Sequence, residues 1–294
     1  VDAHQHFWTL ARGDYRWLTP ELGPLYRDFG PQDLAPLLAS AEIDATVLVQ
    51  AADSAAETEH LLEIALATPF VAGVVGWVDL ERDDAPDELA RLASRPKFVG
   101  VRPMLQDLGD ERWVLRPAVL SALRAAAQLD LRFDALVKPA QLPALCELRQ
   151  RLPELRIVVD HAAKPQLSQG ATWSGWSAWR AHLSELANSR STFCKLSGLV
   201  TEAGADLSLD SLRATFEFSR ATFGAERLMW GSDWPVIELD ADYLRWRSAA
   251  DALAHEWNSS ERELLFGGSA VSFYGLTSPN QVGPGRAPHG RSTP

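Results

Sequence analysis

Two rhythms alternate along residues 1–276 of the chain. Short apolar, β-branched runs recur at Val1–His6, Ala45–Ala51, Val71–Val78, Phe98–Pro103, Arg132–Val137, Arg156–His161, Thr192–Gly198 and Arg227–Asp233. Several of them, such as ATVLVQ and RIVVD, are almost uninterruptedly apolar, as parallel strands covered on both faces should be. Longer amphipathic stretches fill the intervals: DLAPLLASAE, AETEHLLEIALA, PDELARLAS, RPAVLSALRAAAQ, AQLPALCELRQRL and WSAWRAHLSELANS, with SLRATFEFSRATF and ADYLRWRSAADALAHEW on either side of the eighth run. Eight βα units joined by right-handed crossovers predict an α/β fold closed as a (β/α)8 TIM barrel in a single domain over residues 1–276. The rival, an open doubly wound sheet, announces itself by a Gly-rich phosphate loop after its first strand, and none follows His6. Residues 277–294 are rich in Pro and Gly, lack apolar periodicity and read as a disordered C-terminal tail.

In such a barrel the chemistry sits where strands end and their following loops begin. His4 and His6 close the first run two residues apart, on one face of a strand, a spacing that suits a divalent ion such as zinc. An H-x-H pair alone is weak evidence. His161 falls where the sixth run stops and Asp233 where the eighth does, with Gly231 leaving open space beneath the carboxylate. Taken singly, each has a plain structural role: a strand-end hydrogen bond for His161, a loop cap for Asp233. Four such groups at the same level of the barrel point to a site. Arg102 ends the fourth run, where a guanidinium is costly to bury without an anion or a developing oxyanion beside it; its structural alternative is a salt bridge to Asp79 or Asp134. Lys195 shares a face of the seventh run with Ser197, and Gln50 and Trp77 end the second and third. With Trp8, on the long aromatic loop Phe7–Gly30, these three are candidate substrate contacts. Trp113, Trp173 and Trp176 are placed to complete a pocket rim, with packing onto the barrel as the default for each. His60, His182 and His255 lie in helical stretches and His289 in the tail, away from this constellation.

Charge narrows the partners. The formal net charge is -11, which repels phosphate backbones and anionic lipid, so neither nucleic acid nor a membrane surface is expected. Two cysteines, Cys146 and Cys194, form no disulfide framework, and no leader or membrane-length apolar run is visible; a cytoplasmic location is expected. The oligomeric state is not legible.

The segments VDAHQHFW, VGVRP, VVDHAAKP, FCKLSGL and LMWGSDWP resemble the amidohydrolase superfamily, and within it the branch that hydrolyses L-fuconolactone and L-rhamnonolactone. The similarity runs in order through residues 1–276. It implies a distorted (β/α)8 barrel and a carboxylic ester hydrolase opening a small-molecule sugar lactone. Its site is built on His4, His6, His161 and Asp233. Asp233 is expected to activate water as general base, with His161 and Arg102 stabilising the tetrahedral oxyanion. Two-metal members carry Lys or Glu at the end of the fourth strand and His at the end of the fifth. Here those places hold Arg102 and FDALV. At most a single divalent ion, zinc for instance, is therefore implied on His4, His6, His161 and Asp233, and lactonases of this branch need not depend on metal. No G-x-S-x-G elbow suggests a serine mechanism. Two further readings stay open: a metal-dependent decarboxylase of an aromatic or unsaturated acid, and a non-catalytic barrel binding carbohydrate through its aromatic loops.

Overall fold

The computed structural model describes residues 1–204 and 209–277, so all but the first residue of the expected tail lies outside the described part. Eight strands alternate with helices along the chain. They are β1 (Asp2–Gln5), β2 (Thr46–Val49), β3 (Val71–Gly76), β4 (Phe98–Val101), β5 (Arg132–Ala135), β6 (Ile157–Val159), β7 (Thr192–Leu196) and β8 (Leu228–Trp230). Each pairs in parallel with its successor, giving one sheet in the order β1 to β8. All eight expected helices are present: α1 (Pro31–Ser40), α2 (Ala55–Ala67), α3 (Ala85–Ala93), α4 (Pro117–Gln128), α5 (Leu142–Arg151), α6 (Trp176–Ala187), α8 (Leu209–Phe223) and α9 (Tyr243–Leu253). Three short helices were not foreshadowed by the pattern: α7 (Leu199–Ala203), α10 (Ser259–Glu263) and α11 (Ser269–Tyr274). No helix among the described residues is long and apolar enough to cross a membrane.

Local chemistry explains the helix starts. Ser54 caps α2 by accepting from Glu57 N (3.2 Å), Asp242 caps α9 by accepting from Arg245 N (2.8 Å), and Asn258 and Glu261 cap each other's backbone at α10. Two apolar layers result. The larger lies between strands and helices. The smaller lies inside the barrel, where Val47, Val49, Val75, Val158 and Met229 meet Ala270, Phe273 and Tyr274 of α11, which therefore plugs one end. Cys146 and Cys194 are free and buried.

The strands are shorter than the apolar runs at the end where chemistry was sought. His6, Arg102, His161 and Asp233 all fall just beyond the last ladder residue. The physical reason is clearest at His161 and Asp233, whose φ values of 53° and 58° belong to the left-handed region and cannot continue a strand.

Closure between β8 and β1 is irregular, and this is the distortion of the barrel. Past Trp230 the chain runs alongside β1 and makes an isolated parallel bridge between Gln5 and Trp234. Asp233 N donates to His4 O (2.8 Å) and His6 N to Trp234 O (2.8 Å). The fully buried Asp2 acts as a staple, its carboxylate accepting from Ser232 N (2.8 Å), His4 N (3.1 Å) and Tyr243 Oη (3.1 Å). Replacing Asp2 with Ala strands three buried donors, each worth roughly 1–3 kcal/mol when left unpaired. We expect Asp2→Ala to lose about 3 kcal/mol or more of stability in urea unfolding, with Asp2→Asn losing less; an unchanged midpoint would remove Asp2 from this role.

Candidate active site

His4 and His6 converge as their spacing on β1 predicts. His6 Nδ1 lies 2.8 Å from the Val49 carbonyl oxygen, which places the ring proton on Nδ1 and the lone pair on Nε2. His6 Nε2 stands 3.3 Å from Asp233 Oδ1 and 3.2 Å from His4 Nε2, and His4 Nε2 is 3.6 Å from the same carboxylate oxygen. Two acceptors, His6 Nε2 and Asp233 Oδ1, thus face each other. Such a convergence is stabilised by a cation set among the lone pairs.

His161 reaches the same place by an unusual turn. His161, Ala162, Ala163 and Lys164 are all left-handed (φ 53°, 48°, 59° and 51°), and Lys164 N donates to His161 O (2.9 Å). Left-handed non-glycine residues cost roughly 1–2 kcal/mol each and persist only where the surroundings enforce them. His161 Nδ1 lies 2.9 Å from Ser197 Oγ, and Gly198 sits against the ring. A Cβ at Gly198 would come within 2.5 Å of His161 Nδ1 and 3.1 Å of Asp233 Oδ2, and its φ of 61° already favours glycine. Gly231 serves His4 likewise. Its missing side chain does not leave open space beneath Asp233, because the space is taken by His4 Cβ, 2.7 Å from where a Cβ would stand.

Beneath the imidazoles lies a buried network of charge. Lys195 Nζ contacts Asp134 Oδ2 (2.5 Å), Asp160 Oδ1 (3.1 Å) and His4 Nδ1 (3.1 Å), and Tyr274 Oη donates to Asp134 Oδ2 (2.7 Å). Arg102 donates to the Gln50 carbonyl and approaches Asp160 Oδ2 (3.4 Å) and His4 Nε2 (3.2 Å). The partner of Arg102 is therefore Asp160, not Asp79 or Asp134.

A cleft of about 260 Å³ opens above these groups, lined at its floor by His6, Arg102, His161 and Asp233 and on its walls by Trp17, Met104, Leu136 and Lys164 among others. Four residues expected to touch substrate do not line it. Lys195 is fully buried and consumed by its carboxylates. Gln50 turns its amide to the Arg102 carbonyl and so braces Arg102. Trp77 lines a separate surface depression with Asp79 and Arg82. Trp8 is 1% exposed, and its indole N–H is bound to Arg27 O (2.8 Å). The loop does supply an aromatic wall: Trp17 packs edge-on against Trp8 and donates from Nε1 to Ala51 O (2.7 Å). Trp173 and Trp176 pack with each other and their own loop, and Trp113 donates from Nε1 to Glu81 Oε2 (2.8 Å) in the loop after β3. Asp160 and Lys164 were missed, although both belong to the DHAAKP segment; Lys164, three residues beyond His161, shares a turn that no strand-end rule anticipates.

Burial dominates the electrostatics. It drives the His4 imidazole well below its ordinary range, with the Lys195 charge adding to the effect, and takes His161 down to about 4 despite the pull of Asp233. Burial would raise the Asp233 carboxyl, but His161 and His4 outweigh it and hold the acid well below the usual carboxylate range. Asp134 is lifted to about 6, mainly by desolvation. His4, His6 and Asp233 offer ligand atoms that lie within 4.8 Å of one another, as do His4, Asp160 and His161. Two imidazoles with a carboxylate, and a proton fixed away from the lone pair on His6, fit a single divalent ion of the zinc type.

A family model described as Amidohydrolase matches residues 1–276. The chain is 46% identical over 284 residues to an L-fucono-1,5-lactonase of Burkholderia ambifaria, covering 95% of this chain and 97% of that protein. It is 37% identical over 287 residues to an L-fucono-1,5-lactonase of Burkholderia multivorans, with coverages of 95% and 97%. A crystal structure of an amidohydrolase from Burkholderia multivorans with bound zinc superimposes with a TM-score of 0.88 at 36% identity, covering 94% of this chain and 99% of that one.

Two measurements follow from this geometry. Gly198→Ala should displace His161 and Asp233 and lower turnover by about 100-fold, the usual cost of roughly an ångström of misplacement; an unaffected rate would show that the ring can give way. His161 takes its proton near 4 in the folded chain and near 6.5 in the unfolded one. Its neutral burial therefore costs nothing above about pH 6.5, and stability falls as pH drops from there toward 4. Unfolding midpoints across that window should show the fall, and His161→Gln should flatten part of it.

Proposed function

The chain belongs to the amidohydrolase family, and we infer that it is a hydrolase opening a sugar lactone of the L-fucono-1,5-lactone kind to the aldonic acid. The observation that carries the reading is the buried Asp233 carboxylate converging with His4, His6 and His161 on the floor of a cleft. Its support outside the geometry is the near full-length similarity to lactonases, which leaves the decarboxylase reading with less behind it. An ionised carboxylate held out of water among imidazoles is also a costly device for binding alone.

In the proposed reaction, Asp233 takes a proton from water as the water oxygen bonds to the acyl carbon. The carbonyl π electrons move onto its oxygen. Arg102 and His161 donate to that oxyanion; with Ser197 Oγ–H donating to Nδ1, the neutral His161 ring keeps its proton on Nε2. When the tetrahedral species collapses, the ring C–O bond breaks and the alkoxide recovers the proton from Asp233. A lactone is activated enough to need no covalent nucleophile. His4, His6 and Asp233, with His161 adjacent, would hold a zinc ion, which when bound supplies Lewis acidity and lowers the pKa of water. Lys195 and Asp160 hold His4 from below, and Gln50 and Asp160 hold Arg102. We further assign the protein to the cytoplasm, on its two unpaired, buried thiols.

A pH-indicator assay with L-fucono-1,5-lactone tests the reaction. Asp233→Asn should lose roughly 10²–10⁴-fold in kcat while still binding lactone; near-normal turnover in the folded variant would falsify the base assignment. Arg102→Lys keeps the charge but loses the fork that reaches Gln50 and Asp160 together, and should cost about 100-fold in kcat. Retained activity there would reduce Arg102 to a structural salt bridge.

A further inference from the structure

Every cation at the cleft already has an acidic neighbour. Of the cations that line it, Arg102 lies 3.4 Å from Asp160 and Lys164 Nζ 3.7 Å from Glu202 Oε1. A lactone carrying its own carboxylate would find no unclaimed positive charge among the described residues that line the cleft and would meet Asp233 and Asp107 instead. The charge pattern suits a neutral substrate.

Lys164 and Glu202 differ from the other pairs. Lys164 lines the cleft on the left-handed turn that also carries His161, and Glu202 comes from α7, which begins just after Gly198. At 3.7 Å they are close enough to hold each other's charge but beyond hydrogen-bond reach. Among the described residues Lys164 Nζ makes no hydrogen bond. Their side chains are 22% and 24% exposed, partly stripped of water without being sealed from it. Burial pushes the Glu202 carboxyl up, against the pull of Lys164. A hydroxyl is the group that satisfies both partners at once, since it accepts with a lone pair and donates its proton. An anion can satisfy only the lysine and is repelled by the glutamate.

We propose that Lys164 and Glu202 form a specificity subsite for a ring hydroxyl of the lactone, Lys164 donating to the hydroxyl oxygen and Glu202 accepting its proton. The subsite selects neutral polyhydroxylated lactones over plain or carboxylated ones. It rests on the lactonase reading above, and the test is built to separate the two. Lys164→Met and Glu202→Gln are compared with wild type on L-fucono-1,5-lactone and on the unsubstituted six-membered lactone. Binding of the corresponding sugar lactam, which is not hydrolysed, is measured by calorimetry. Losing a hydrogen bond to a charged group should lower the ratio of kcat/KM for sugar over plain lactone by about 10- to 100-fold, acting through KM. The lactam Kd should rise by a similar factor, and Lys164→Arg should recover most of the loss. Thermal melts exclude a folding defect, and either variant alone suffices for the comparison.

An unmoved ratio with the sugar lactone still hydrolysed overturns the subsite and leaves the lactonase reading intact. Equal losses on both lactones overturn it too, because they would make Lys164 an oxyanion donor. If no lactone is turned over but lactam binding weakens in both variants, the lactonase reading fails and the subsite stands.

Discussion

The site depends on one seam, the irregular closure of the barrel between β1 and the residues that follow β8. A regular ladder there would have kept Gly231–Trp234 extended. Instead Asp2 draws the Ser232 N–H toward β1, Asp233 turns left-handed, and its N–H bonds to the His4 carbonyl. That backbone bond sets the Asp233 side chain beside His4 and His6. The closure of the fold and the assembly of its acid–imidazole cluster are the same hydrogen bonds, so neither can vary without the other. Gly231 and Gly198 complete the seam by leaving room for His4 and His161.

The floor beneath the cluster is electrically expensive. Lys195, Arg102, Asp134 and Asp160 are all nearly or fully buried, and burying ion pairs is often no better for stability than burying apolar groups of similar volume. Its effect is orientation. Each imidazole is held by a contact on the nitrogen away from the cleft floor: His6 by Val49 O, His161 by Ser197 Oγ, His4 by Lys195. Fixed rings need no reorganisation when charge develops beside them. Tyr274 extends this network to α11, so the last described helix both plugs the barrel and supports the site from below.

Above the floor the construction changes. The long loop after β1 packs most of its aromatics into itself and leaves Trp17 as a wall, its indole N–H pinned to Ala51 O. Ala51 N and Ala52 N are in turn held by the buried Glu57 of α2. A strained left-handed turn gives the opposite contribution, carrying His161 and Lys164 together. The acid–imidazole cluster is thus placed by barrel closure, while the walls of the cleft are left to loops pinned by single polar contacts.

The order of strands and helices, and five residues of the cluster, were legible in the chain, because both depend on short-range regularities. Apolar runs of strand length alternate with helical periodicity, and polar groups gather where strands end, so His4, His6, Arg102, His161 and Asp233 could be named. Only the folded chain decided which polar residues face the cleft. Lys195 and Gln50 stand at strand ends as the pattern requires, yet Lys195 is claimed by Asp134 and Asp160 and Gln50 by Arg102, partners up to 61 residues away in the chain. Trp8 and Trp17 occupy the same loop, and nothing local distinguishes the packed ring from the exposed one. Periodicity reports burial and side; it carries no information about long-range pairing, and pairing is what separates a residue that touches substrate from one that holds its neighbour in place.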